Sequence, residues 1–231
     1  MKLTLIEKRP EAGDVVTFIF IRQPADEEKL QWAAGQYLHY TLERQNPDNR
    51  MTDRYFTIAA APHEGHVQIT TRISPKHSTF KDHLNTLAIG DTIEAEGLEG
   101  DFVVEDPNRE MVLIAGGIGI TPYRAMLLDM DHKGQDINAK LLYANRDENF
   151  VFREELEALK ARHPHFSIQY FTGNHRIDEA AIRTEVSNLT SLLFYISGPE
   201  PMVTSMAEIL KNIGVSEEKI KLDDFPGYTW P

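Results

Sequence analysis

The segment Gly116-Gly117-Ile118-Gly119-Ile120-Thr121-Pro122 carries the plainest chemical signal in the chain. It follows an apolar run that starts at Met111. Glycine lets backbone approach a ligand closely, and Pro122 suits the first turn of a helix. The N-terminus of such a helix favours an anion such as a pyrophosphate, by roughly 0.3–1 kcal/mol per charge. The segment departs from the G-x-G-x-x-G pattern, and no acidic residue lies at a clean ribose position. A tight strand–helix turn without a ligand reads the same residues equally well.

Other groups have comparable potential. Arg54-Tyr55-Phe56-Thr57 sets a planar guanidinium fork for phosphate oxygens beside aromatic rings and a hydroxyl. The plainer alternative is an ordinary strand with a surface arginine. Lys76, Ser78 and Thr79, followed by Phe80, place donors at a helix start, where a simple N-cap is the common use. Thr71, Arg72 and Ile73 close the preceding β-branched run and count among the candidate binding residues. Ser197-Gly198-Pro199-Glu200-Pro201-Met202 reads as a turn with a proline-started helix. The chain ends Asp223-Asp224-Phe225-Pro226-Gly227-Tyr228-Thr229-Trp230-Pro231, with three aromatics that either pack on the core or cover a planar ligand. Histidines at 63, 66, 163 and 165 lie in turn-like stretches without cysteine partners, and no metal site is expected. There is no nucleophile elbow, Walker loop or zincin motif.

The elements that must hold these groups change character along the chain. Up to about residue 105, short alternating runs at 14–22, 36–42, 54–59, 67–73 and 91–95 imply an antiparallel sheet or small barrel. One helix is expected over 79–87, opened by Ser78 or Thr79. From residue 111, apolar runs at 111–115, 139–143, 166–171 and 192–196 alternate with helical patterns. Those patterns run to about Met130, then over 152–162, 179–186 and 201–213. This alternation implies βαβ units on a parallel sheet. The expected architecture is an N-terminal antiparallel β-barrel at 1–106 and a C-terminal α/β domain at 107–231, joined across the polar segment 105–109.

Composition narrows the function. The 231 residues carry 24 basic and 36 acidic side chains, 24 − 36 = −12, which disfavours nucleic acid and anionic lipid as partners. With no cysteine, these residues hold no disulfide, thiolate iron–sulfur cluster or cysteine nucleophile. The N-terminal apolar stretch is too short for a signal-peptide core, and the longest mostly apolar run, 111–120, is about half of a membrane span. The expected setting is soluble and cytoplasmic.

Taken in order, these motifs resemble the ferredoxin–NADP reductase superfamily over nearly the whole chain. The resemblance implies a flavin-binding barrel followed by a nicotinamide-dinucleotide-binding α/β domain. The family's R-x-Y-[S/T] barrel motif is matched by Arg54, Tyr55, Phe56 and Thr57, with Phe56 in place of the usual tyrosine. Its flavin-pyrophosphate segment is similar to Lys76-His77-Ser78-Thr79, which lacks the family's glycine. The glycine loop with Thr121 resembles the dinucleotide loop, and Ser197-Gly198-Pro199 with Met202 resembles C-G-P-x-x-M, with serine for cysteine. Phe225, or alternatively Tyr228 or Trp230, stands where relatives place an aromatic over the flavin.

The implied activity is an FAD-dependent NAD(P)H oxidoreductase. Hydride would pass from nicotinamide to flavin, and electrons onward to a separate protein or small oxidant: a ferredoxin, a flavodoxin, a quinone or free flavin. In that reading Arg54 clamps the flavin phosphates and Thr57 hydrogen-bonds flavin N5. A C-terminal aromatic occupies the nicotinamide's place and swings aside. The flavin carries the electronic difficulty, so no side-chain acid or base is demanded. Arg146, Thr172 and Arg176 are the candidates near a dinucleotide 2′ position; without an arginine directly after Thr172, NADH is favoured over NADPH. Two alternatives stand beside this one. One is a flavin subunit of a larger complex with little activity alone. The other is a non-catalytic flavin-binding module.

Overall fold

The computed structural model describes residues 1–22, 30–42, 53–75, 77–173 and 175–225. By internal packing the chain separates into two compact units, Met1–Val103 and Val104–Pro231.

The first unit holds β1 (Lys2–Pro10), β2 (Val15–Arg22), β3 (Tyr37–Thr41), β4 (Asp53–Thr57), β5 (Val67–Arg72), α1 (Thr79–Thr86) and β6 (Thr92–Glu99). The strands form one antiparallel sheet in the order β4-β3-β6-β1-β2-β5. Alternate residues point inward, as a half-buried strand requires. Leu3, Leu5, Phe18, Phe20, Leu38, Tyr40, Val67, Ile69, Ile93 and Ala95 line one core. Just past β4, the Ala59 N–H donates to the Gln68 carbonyl on β5 at 2.9 Å and draws the two edge strands together. Strand β1 lies outside the runs singled out above. Charged residues surround its short apolar stretch, yet Leu3 and Leu5 are fully buried between β2 and β6. Helix α1 starts where expected. The Ser78 hydroxyl accepts from the Lys81 N–H at 3.3 Å, and Phe80 and Leu84 enter the barrel core.

The second unit alternates β7 (Met111–Gly116), a 3-10 turn (Gly117–Ile120), α2 (Thr121–His132), β8 (Ala139–Asn145), α3 (Arg153–Arg162), β9 (Phe166–Thr172), α4 (Glu179–Glu185), β10 (Leu193–Pro199), α5 (Glu200–Asn212) and β11 (Ile220–Phe225). All ladders are parallel, in the order β11-β10-β7-β8-β9. β7 and β10 are buried along their whole length, as inner strands covered on both faces must be.

One expectation is corrected here. Ser197-Gly198-Pro199 does not turn: it continues β10, because each residue pairs with the strand beside it, out to Pro199 opposite Phe225. Residues 220–225 form an edge strand that the sequence reading did not identify, and Phe225 closes it. Among the described residues no helix is long and apolar enough to cross a membrane.

Candidate functional site

In the first unit the structure gathers one group of candidates around the start of α1. Arg54 and Phe56 lie on β4 opposite Tyr40 and Leu38, on the core side of the sheet. The Arg54 guanidinium stands 5.8 Å from the Phe80 ring centre, and the Phe56 ring lies 5.7 Å from that ring. Phe80 is the second residue of α1, so Arg54 and Phe56 both reach its first turn. Lys81 of the same helix donates to the Arg72 carbonyl at 3.2 Å and ties α1 to the end of β5. Helix N-terminal N–H groups, a guanidinium and an aromatic face in one place suit a phosphate joined to a planar ring.

Other members of the candidate set fall elsewhere. The pleat turns Tyr55 to the opposite face, where it is 60% exposed and stacks on His39 at 4.5 Å. Thr57, buried, shares the Tyr55 side by the same alternation. Thr71 is buried within β5. Arg72 is ion-paired with Asp14, and the Ile73 N–H donates to the Asp14 carbonyl at 2.7 Å. Lys76, Tyr228 and Trp230 lie outside the described residues.

In the second unit the glycine loop is shaped by close backbone contact. A Cβ on Gly119 would sit 2.2 Å from the Ser197 carbonyl oxygen, and one on Gly198 would sit 3.1 Å from the Gly116 Cα. The 3-10 turn is therefore seated directly on the end of β10, with no room for a side chain at Gly119. The Thr121 hydroxyl donates to the Ile118 carbonyl at 3.1 Å and holds the turn closed at the start of α2. Pro122 and Met202 are buried; Met202 belongs to the hydrophobic core. This cradle lies at the carboxyl ends of β7 and β10, where open α/β sheets receive their ligands. Glycines leave this turn without bulky side chains at Gly116, Gly117 and Gly119, at the sheet edge where a pyrophosphate would be received.

Ser197 meets a carboxylate outside the sequence-based candidates, Asp223. The fully buried Ser197 hydroxyl donates to Asp223 Oδ2 at 2.8 Å. Burial pushes the Asp223 carboxyl up to about 6; the Ser197 hydrogen bond opposes that shift, and the neighbouring Asp224 charge adds to it. Tyr123 donates to the Ile114 carbonyl at 3.1 Å, and burial raises its hydroxyl well above the ordinary range. Phe225 closes β11 opposite Pro199 and is half-buried.

The far side of the same edge holds the other candidates. Arg146 is exposed, and its Nε lies 3.3 Å from Asp147 Oδ2. Thr172 ends β9, and its hydroxyl donates to Glu148 Oε1 at 2.8 Å. Arg176 is exposed in the loop after β9. Asn145, also absent from the sequence-based set, is buried at the end of β8. Its Nδ2 donates to the Asn149 carbonyl at 2.9 Å and fixes the loop that carries Asp147 and Glu148. A polar residue closing the apolar run 141–144 was the available signal.

A curled antiparallel sheet with a phosphate-suited helix start, and a parallel sheet with a glycine cradle, define a two-domain oxidoreductase that uses FAD and a nicotinamide dinucleotide. Residues 2–104 match the oxidoreductase FAD-binding domain, and residues 113–208 match the oxidoreductase NAD-binding domain. The chain belongs to these NAD(P)H-dependent flavin oxidoreductases and has the ferredoxin–NADP reductase-like fold. It is 25% identical to a flavohemoprotein of Burkholderia sp. over 96% of its length, and spans 58% of that relative. It is 26% identical to NADH-cytochrome b5 reductase 1 of Neosartorya fischeri, covering 96% of this chain and 78% of that one. The cytochrome b5 reductase domain of Ulva prolifera nitrate reductase superimposes with a TM-score of 0.83 at 24% identity, over 96% of each chain.

Proposed function

We propose that this chain takes electrons from NADH into bound FAD and delivers them to a separate redox partner. The observation that carries the reading is the glycine cradle: Gly119 and Gly198 press backbone on backbone at the carboxyl edge, where a pyrophosphate would lie. When bound, the flavin accepts two electrons from the nicotinamide and releases them onward.

The chain's own residues would bind, orient and shield. Arg54 would hold the flavin phosphates, assisted by the first-turn N–H groups of α1 and the donors Ser78 and Thr79. Phe56 would lie against the flavin's planar part, with Thr71, Arg72 and Ile73 supplying backbone at the end of β5. Thr57 faces away from Phe56 but ends β4, and from the strand's end it would offer a hydrogen bond at flavin N5. On the second unit, Gly116, Gly117, Gly119 and Thr121 would receive the dinucleotide pyrophosphate. Ser197, Gly198 and Pro199 would border the nicotinamide, with Phe225 as the aromatic that gives way to it.

The acceptor we favour is a separate electron-transfer protein. A cytochrome b5 reductase and a toluate 1,2-dioxygenase electron transfer component stand among the relatives. These 231 residues contain no cysteine, so the chain offers no thiolate cluster of its own for the next step. The −12 charge favours a partner with a basic face.

The test is an anaerobic titration of the purified protein with NADH and then NADPH, following flavin absorbance. Bleaching by NADH supports the proposal, and Arg54→Ala should emerge folded with little flavin. A yellow protein that neither dinucleotide reduces would favour a subunit of a larger complex. A colourless protein that takes up no added FAD would sink the reading.

A further inference from the structure

The strand order divides the carboxyl edge of the second unit into two sides. The glycine loop tops β7, with β10 and β11 to one side and β8 and β9 to the other. Ser197, Asp223 and Phe225 occupy the first side. The other side holds a different chemistry. Thr172, at the end of β9, stands in register with Asn145 at the end of β8. Glu148, from the loop after β8, reaches across to accept a hydrogen bond from the Thr172 hydroxyl at 2.8 Å. Strands lie about 4.8 Å apart, so this pair sits about 10 Å from the glycine loop. That is the span from a dinucleotide pyrophosphate to its adenosine ribose.

We infer that Glu148 is the residue that selects a dinucleotide with a free ribose 2′-hydroxyl and rejects one bearing a 2′-phosphate; the inference rests on the function proposed above. The Thr172 hydroxyl is a donor that could serve a phosphate oxygen, but it is committed to Glu148 Oε1. A carboxylate accepts hydrogen bonds and cannot donate them. It therefore welcomes a ribose hydroxyl and repels a phosphate. Two nearby cations are already engaged, one by Asp147 and one, at the 4.0 Å limit of an ion pair, by Glu148 itself. Arg146 pairs with Asp147 at 3.3 Å. Burial would raise the Asp147 carboxyl, but hydrogen bonds from Asn149 and Arg146 outweigh it and hold the group ionised. The Arg153 guanidinium lies over the Tyr170 and Phe150 rings, 4.7 and 5.6 Å from their centres, and 4.0 Å from Glu148 Oε2. Arg176, exposed after β9, is the residue through which a 2′-phosphate would be held if the inference were wrong.

The experiment is calorimetric binding of 5′-ADP and 2′,5′-ADP to the flavin-loaded protein, so that no turnover enters the readout. The parent should bind 5′-ADP about tenfold more tightly than 2′,5′-ADP, a ratio that one exposed like-charge contact can supply. Added salt should shrink the ratio. Glu148→Gln keeps an oxygen for Thr172 and removes the charge, so the ratio should fall to about one. Glu148→Lys should invert it. Binding of both nucleotides with a ratio unmoved in Glu148→Gln overturns the inference alone. So does a parent preference for 2′,5′-ADP that disappears in Arg176→Ala. Failure of the parent to bind either nucleotide overturns the proposed function and the inference with it.

Discussion

Replacing Gly119 by alanine tests the cradle most directly. The added Cβ would lie 2.2 Å from the Ser197 carbonyl oxygen, 2.5 Å from its carbon and 2.7 Å from the Gly198 Cα. A carbon ordinarily stays about 3.3 Å from a carbonyl oxygen, so the overlap is about 1 Å. Neither side yields readily. Ser197 is laddered to Ala115 on β7 and to Asp223 on β11, and the 3-10 turn is bonded to α2 through Thr121. Overpacking against fixed backbone belongs at the upper end of its usual range, about 3 kcal/mol. For a chain of this size that corresponds to a fall in melting temperature of about 6–12 °C. Gly134→Ala is the control: its φ is +65°, but no atom lies within 4 Å of the added carbon. It should cost only the left-handed backbone penalty, about 1 kcal/mol. Urea and thermal unfolding followed by far-UV circular dichroism measure both. If Gly119→Ala is no less stable than Gly134→Ala, the loop is not seated on β10 as described, and the argument for a backbone-lined pyrophosphate cradle goes with it.

Two further outcomes concern groups near the same edge. Asp223 has a folded-state value of about 6 against an ordinary 3.8, so the folded protein binds the proton more tightly. Its contribution to stability is present at low pH and is lost as pH rises from 3.8 through about 6. Asp223→Asn should remove that fall and raise the urea midpoint at neutral pH; a variant keeping the parent's slope over this window would count against the buried carboxyl. Arg124 of α2, its side chain 4% exposed, meets Glu155 of α3 through two contacts of 2.7 and 2.9 Å. Glu155→Ala removes the carboxylate that faces a buried guanidinium and should cost about 2 kcal/mol, less than a fully buried pair because Glu155 is a third exposed. An unchanged urea midpoint would show that solvent replaces the carboxylate.

Much of the architecture is legible along the chain because its signals are local. Leu38 and Tyr40, or Val67 and Ile69, alternate with polar neighbours at the period of a strand, and Ser78 announces α1 as a cap does. The glycine loop stands between an apolar run and a proline. Strand β11 shows none of this. Its residues Lys221, Asp223 and Asp224 break the apolar alternation of a strand, and only pairing with β10 makes them one. The continuation of β10 through Gly198 and Pro199 is hidden for the same reason, since both residues usually end strands.

The candidate site divides in the same way. Residue types alone marked Arg54, Phe56 and Gly119, because a guanidinium, an aromatic ring and a missing side chain have chemistry wherever they stand. The order of the two domains also follows from periodicity, which changes from two to strand–helix alternation near residue 105. Partnership came only with the tertiary structure. Ser197 and Asp223 are 26 residues apart, and Thr172 and Glu148 are 24 apart, so neither pairing has a sequence spacing to betray it. The same holds for Tyr55 and Phe56: adjacent in the chain, they face opposite sides of a sheet, and the side each meets depends on what is packed there. Local propensity and side-chain chemistry are properties of a segment; burial, charge balance and hydrogen-bond commitment belong to the elements brought together around it.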